Sequence, residues 1–238
     1  MWPVRTIVVT GGATGIGRAT AERFRADGDE VVITGRRADV LAKTAADLGA
    51  RGVVCDATDP AQVERLLDEL PECVDVLVNN AGGNTDFGRP DGDLAQLKAN
   101  WLANLDANLI SAVLTTTALA PRLTTAVVHL GSIAGARGAG SYGASKAALA
   151  MWNVDAAAEL GRQGVTSNVV APGFTADTEF FQGRLTGERR ETLLQATLTK
   201  REGHVDDIAG TIHFLASPAG RHLTGQVLHV NGGALVTR

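Results

Sequence analysis

The chain has 238 residues, 45% hydrophobic and 20% charged, enough to bury a substantial core in one large α/β unit. Its formal charge of -4, with no Lys/Arg cluster beyond pairs such as Arg36-Arg37 and Arg189-Arg190, argues against a nucleic-acid partner. Cys55 and Cys73 match no disulfide, zinc or redox spacing and read as two small buried side chains, and no apolar run reaches the roughly 18 residues of a membrane helix. With no charged-then-apolar leader at Met1–Thr10, the expected setting is cytoplasmic, away from membranes.

Taken in order, short continuous β-branched runs alternate with segments of helical spacing. The first strand, Thr6–Thr10, ends in Thr10-Gly11-Gly12-Ala13-Thr14-Gly15-Ile16-Gly17, and a helix pattern, Ile16–Ala26, begins at once. Glycines at such a turn let backbone N–H groups approach a diphosphate, and the helix N-terminus adds partial positive charge. Gly11, Thr14, Gly15, Ile16 and Gly17 are therefore candidate cofactor contacts, although the spacing differs from G-x-G-x-x-G. The second strand, Val31–Thr34, is followed by Gly35-Arg36-Arg37, where an NAD site would carry an acidic residue on the ribose 2′-hydroxyl. No carboxylate stands there. Gly35 leaves room for a 2′-phosphate that Arg36 and Arg37 can grip, which favours NADP(H) over NAD(H).

Strand Gly52–Cys55 closes on Asp56, a candidate acceptor for an adenine amino group, and helix Ala61–Leu70 leads to strand Val74–Asn79. Asn80, Ala81 and Gly82 follow at the ligand edge, with Asn80 open to either an adenosine ribose or the sheet's own backbone. After the loop Gly83–Asp93 comes a long helix, Asp93–Leu119, then strand Ala126–Leu130 and the Ser132 loop. In the helix Tyr142–Leu160, Tyr142 and Lys146 are four apart and share one face. A free phenol titrates near 10, so a neighbouring ammonium and a cationic nicotinamide should lower it toward neutrality, and Tyr142 becomes the candidate acid-base group. The Ser132 hydroxyl can orient the reacting oxygen. Strand Thr166–Val170, helix Val205–Ala216 and strand Gln226–Val230 complete the alternation, interrupted by the irregular, Thr-, Arg- and Glu-rich stretch 174–201, placed as a substrate lid. The β-α-β-α order demands a doubly wound parallel sheet of seven strands between two helical layers, in a single domain spanning 1–238.

In order and spacing, these motifs resemble the classical short-chain dehydrogenases/reductases along essentially the whole chain. Thr10-x-x-x-x-Gly15-x-Gly17, Asn79-Asn80-Ala81-Gly82, Ser132, Tyr142-x-x-x-Lys146, Pro172-Gly173 and Asn231-Gly232-Gly233 carry the resemblance. It implies a Rossmann-type three-layer α/β/α sandwich and a catalytic tetrad of Asn108, Ser132, Tyr142 and Lys146. By the same resemblance Asn108 would hold a water linking Lys146 to solvent, with Asn104 as the competing position, and Lys146 would bind the nicotinamide ribose. Pro172 and Gly173 would pack against the nicotinamide, with Thr175 or Thr178 available to its carboxamide or the diphosphate. Two features depart from the family pattern: Ser132 and Tyr142 are ten residues apart where the family has about thirteen, and Gly131 replaces a serine.

The expected function is an NADP(H)-dependent carbonyl reductase or alcohol dehydrogenase, similar to the 3-oxoacyl-thioester reductase branch. The alternatives are an NAD-dependent dehydrogenase of a sugar, steroid or other secondary alcohol, and a non-catalytic nucleotide-sensing or scaffold protein. Phe87, Arg89, Phe174, Phe180, Phe181 and Arg184 are placed around the substrate and admit an apolar or an anionic one, with Arg184 or Arg189 facing a phosphate or simply solvated. No metal is expected, and the resemblance implies a homotetramer or homodimer.

Overall fold

Strand β1 (Thr6–Thr10) leads into α1 (Gly15–Ala26), followed by β2 (Glu30–Gly35), α2 (Ala38–Leu48), β3 (Arg51–Val54), α3 (Pro60–Asp68) and β4 (Val74–Asn79) in the computed structural model. The second half runs α4 (Leu94–Leu105), a π-helical turn (Asp106–Ile110), α5 (Ser111–Leu119), β5 (Leu123–Leu130), α6 (Ala134–Arg137) and α7 (Gly140–Gly161). It ends with β6 (Thr166–Pro172), α8 (Gly187–Gln195), α9 (Val205–Leu215) and β7 (Val227–Val230). The structure describes residues 4–87, 92–176, 178–181 and 183–237. Arg89, placed near the substrate by sequence, lies outside them.

The seven strands form one parallel sheet in the order β3-β2-β1-β4-β5-β6-β7, so the winding reverses between β1 and β4. Alternate residues of each strand face opposite helical layers. Ile7 and Val9 pack with Phe24 and Ile212, whereas Val8 packs with Leu66, Leu119 and Leu160. Burying an aliphatic or phenyl side chain of this size stabilises by roughly 1.5–3 kcal/mol. Both faces are sealed in this way, and ligands are left the edge beyond the carboxyl ends of the strands.

Several elements differ from the sequence expectation. The helix read as continuous over 93–119 starts at Leu94, after Asp93 caps it by accepting from the Gln96 N–H at 2.9 Å, and is broken by the π turn that carries Asn108. Helix α2, implied by the alternation, has no bounds legible in the sequence. Its apolar face is narrow, with Leu41, Thr44 and Ala45 the buried positions. The irregular stretch 174–201 contains α8, which buries none of its residues and so offers no apolar stripe to read. Cys55 is buried as expected, but Cys73 is exposed.

Candidate active site

The carboxyl ends of β1, β4, β5 and β6 open onto one cleft of about 1320 Å³. Of the site residues expected from sequence, all but Gly17 and Asn108 line it. Gly17 stands behind the loop: a Cβ there would come within 2.3 Å of the Gly11 carbonyl oxygen and 2.4 Å of Asn80 Nδ2, so only glycine lets α1 approach so closely. Asn80 lines the cleft and also serves the backbone. Its Nδ2 donates to the Thr10 and Gly11 carbonyls, both at 2.9 Å, and its N–H donates to Thr10 Oγ1 at 3.1 Å.

The start of α1 fits a diphosphate. Thr14 is its N-cap but makes no side-chain cap bond, and the first turn holds no acidic residue, so its orphan N–H groups and partial positive charge have no competing anion. At the end of β2, the Arg36 side chain is 76% exposed, with the Asp56 carboxylate 3.8 Å away. It is therefore free to meet another anion. Asp56 Oδ1 accepts from the N–H and hydroxyl of Thr58 at 3.0 and 2.8 Å. Arg37 is differently engaged, paired with Glu179 at 2.8 Å across the cleft. Together, the capless helix and the loose guanidinium suit a nicotinamide dinucleotide.

Tyr142 and Lys146, on the first turns of α7, are almost wholly buried. The Lys146 ammonium donates to the Leu130 carbonyl at 2.6 Å and stands 6.0 Å from the Tyr142 ring centroid. Burial lowers Lys146 from 10.5 to about 7. Tyr142 moves opposite to the sequence expectation. Burial raises the phenol to about 12, against a weaker downward pull from its hydrogen bond with Ser132. Desolvation penalises the phenolate more than nearby polar groups favour it, so Tyr142 holds its proton. Ser132 Oγ also accepts from the Ala134 N–H at 3.1 Å.

Asn108 is buried behind the cleft, its Oδ1 accepting from the Gly83 N–H at 3.0 Å and its Nδ2 donating to the Gly83 carbonyl at 2.9 Å. The structure thus gives its side chain to the 83–86 loop and shows no contact with Lys146. Asn104, the competing position, accepts from the Thr85 N–H at 3.0 Å and donates to Asp86 and Ser141, both at 2.8 Å. The Ser141 hydroxyl contacts both Asp86 carboxylate oxygens at 2.8 Å. This ties the loop after β4 to the residue preceding Tyr142. Sequence reasoning missed Asp86 and Ser141, which are 55 positions apart. It also missed His129, buried beneath Lys146, whose ring nitrogens bond Asn79 at 3.1 Å and Ser167 at 3.2 Å. Burial, and secondarily Lys146, lowers His129 to about 3, so it is a neutral bridge from β4 to β6.

Both departures from the family pattern have local causes. A Cβ at Gly131 would meet Val169 Cγ1 at 2.5 Å, which leaves no room for serine. The short link from Ser132 to Tyr142 is closed by backbone contact between α6 and α7: a Cβ at Gly135 or Gly143 would come within 2.9 Å of the other helix's backbone. Over the cleft, Thr178 lies against Gly15, Phe180 stacks near Tyr142 with centroids 5.4 Å apart, and Thr175 is buried at the wall. Of the arginines, Arg189 lines the outer cleft but Arg184 does not.

A family model described as enoyl-(acyl carrier protein) reductase matches residues 11–234. The 3-oxoacyl-[acyl-carrier-protein] reductase FabG of Escherichia coli (strain K12) is 34% identical over 239 residues, covering 95% of each chain. The chain belongs to the short-chain dehydrogenase/reductase family. As a member it is an oxidoreductase acting on CH–OH or C=O groups with a nicotinamide cofactor. Among solved family structures, a blue fluorescent protein from a metagenomic library in complex with NADPH superposes with a TM-score of 0.85, at 32% identity and 98% coverage of both chains. A 7α-hydroxysteroid dehydrogenase complexed with NADH and 7-oxo glycochenodeoxycholic acid gives 0.87, at 30% identity over 96% of this chain and 93% of that one. Among the described residues, no helix is long and apolar enough to cross a membrane.

Proposed function

We propose that the chain is an NADP(H)-dependent carbonyl reductase, or in reverse a secondary-alcohol dehydrogenase, with Tyr142 as its general acid/base. The observation that carries this reading is the buried Tyr142 beside Ser132 and Lys146 at one end of a cleft whose other end has a capless helix N-terminus and an exposed Arg36. Bound in that cleft, NADP(H) supplies the hydride. Gly11, Thr14, Gly15 and Ile16 would hold the diphosphate, Arg36 the 2′-phosphate, Asp56 and Ala81–Gly82 the adenosine, and Pro172, Gly173 and Thr175 the nicotinamide end.

In the reductive direction, the Tyr142 hydroxyl donates its proton to the carbonyl oxygen as negative charge develops there. Ser132 donates a second hydrogen bond to the same oxygen and fixes its position. A phenol held well above neutrality is a reservoir of that proton. The Lys146 ammonium, once bound groups and water relieve its burial, favours the phenolate left behind. Asn108 acts by holding Gly83 and the π turn, with water between it and Lys146 as the route for reprotonation. The 174–201 segment serves as the lid, and the protein works as a homo-oligomer in the cytoplasm.

The test is Tyr142→Phe, followed by NADPH oxidation with a panel of ketones and aldehydes. Turnover should fall at least a hundredfold while NADPH fluorescence still reports binding. Since Tyr142 is the single tyrosine, a phenol titration with NADP+ bound reports one group. Full turnover by the phenylalanine variant, or no downward shift of the phenol with NADP+, defeats the mechanism.

A further inference from the structure

The chain has six phenylalanines, and four of them meet over Tyr142. Phe180 and Phe181 are edge-on at 5.1 Å, Phe87 meets them at 5.7 and 6.2 Å, and Phe174 meets Phe181 at 5.8 Å. Phe180 closes the set on the Tyr142 ring at 5.4 Å. All four are only partly buried, and all line the cleft. They are drawn from two separate segments, the loop after β4 and the stretch after β6, which these rings bring together beside Tyr142.

From this arrangement we propose that the substrate carries an aromatic ring directly on, or one atom from, the reacting carbonyl carbon. The inference rests on the reading that this cleft transfers hydride at Tyr142. A carbonyl oxygen bonded to Tyr142 and Ser132 must place a substituent where Phe180 now touches the phenol. A flat aromatic substituent replaces that contact in kind and gains edge-to-face partners in Phe87, Phe174 and Phe181. Such pairs stabilise by about 0.5–1.5 kcal/mol beyond the area they bury. A saturated ring of the same size gains the burial without that increment. The discrimination expected is therefore about tenfold, the equivalent of about 1.4 kcal/mol.

The experiment pairs carbonyl compounds of matched size: acetophenone against cyclohexyl methyl ketone, and benzaldehyde against cyclohexanecarboxaldehyde, with NADPH and the full chain. An acetoacetyl thioester of N-acetylcysteamine is the aliphatic acyl comparison. The aryl member of each pair should show kcat/KM about tenfold higher and exceed the thioester. Phe180→Leu and Phe181→Leu should erase the aryl preference, bringing the aryl-to-cyclohexyl ratio of kcat/KM to about one, and Phe214→Leu, on α9 away from the cleft, should leave the ratio intact. Equal or reversed ratios, a faster thioester, or a preference that survives both leucine variants overturns the inference. The same pairs are titrated calorimetrically into the NADP+ complex. Aryl-selective binding without turnover of any compound upholds the aromatic site and overturns the hydride-transfer reading instead, whereas no selectivity in binding or turnover overturns the aromatic site.

Discussion

The two walls of the cleft are built differently. The floor, at the strand ends, is sealed: Asn79, His129 and Ser167 bond one another across three strands, all at most 4% exposed, and Lys146 is held to the Leu130 carbonyl above them. The cover, over 174–201, is anchored at its ends by the buried Thr175 and Thr197, but between them it is held by groups in water. Arg37 and Glu179 are both more than half exposed, and α8 buries nothing. Buried hydrogen-bond networks cost much to disturb, while exposed ion pairs contribute about 0–1 kcal/mol. The floor is thus the part that keeps its geometry without a ligand, and the cover is the part a ligand can rearrange.

The contrast breaks most visibly at His129. Its imidazole is held at about 3 against an ordinary 6.5, so the unfolded chain takes up a proton that the folded chain refuses between those values. Stability contributed by the neutral ring is present above pH 6.5 and is lost as pH falls toward 3, at about 1.4 kcal/mol per pH unit. Denaturant melts from pH 7 to pH 4 should show that slope, and His129→Gln should flatten it. Unchanged slope in the variant removes His129 from the account of the floor.

Arg36→Asp should weaken NADPH by about a hundredfold and NADH hardly at all, because it deletes a phosphate partner and adds a repelling charge. Equal losses for the two cofactors, read by fluorescence titration, would remove Arg36 from the 2′-phosphate. Between floor and cover lies the Asp86, Asn104 and Ser141 cluster. Asp86→Ala should lower kcat about tenfold through a loosened Tyr142 turn while NADPH affinity holds, a loss comparable to misplacing a positioned group. A change confined to cofactor affinity would assign Asp86 elsewhere. The smallest effect belongs to the cover: Glu179→Gln should leave the melting temperature unchanged and alter the NADPH association rate by less than about threefold. A large loss of stability would show the cover to be as firmly built as the floor.

Legibility in the sequence followed the same division. Strands such as Val74–Asn79 announce themselves because both faces are apolar, and Tyr142 with Lys146 is visible because their contact is local in the chain. The place of the glycine loop and Arg36 at the strand ends was readable for the same reason. Asp86 and Ser141 were not, since only the folded topology brings them together. The π turn escaped notice because one extra residue in a helical turn leaves the apolar pattern of 93–119 nearly unaltered, and α8 escaped because a helix that buries no residue fully has only a weak period to detect. The direction of the Tyr142 shift was misjudged because chain proximity to a lysine says nothing of how dry the pair is.

The ten-residue link between Ser132 and Tyr142, closed by helices α6 and α7 meeting backbone to backbone, bears on how this enzyme can be retargeted. A loop with no side chains at its tightest points gives a mutagenesis library little to vary, and insertions there would pry Ser132 and Tyr142 apart. Diversity aimed at new substrates belongs instead in the segments bearing Phe87 and Phe180.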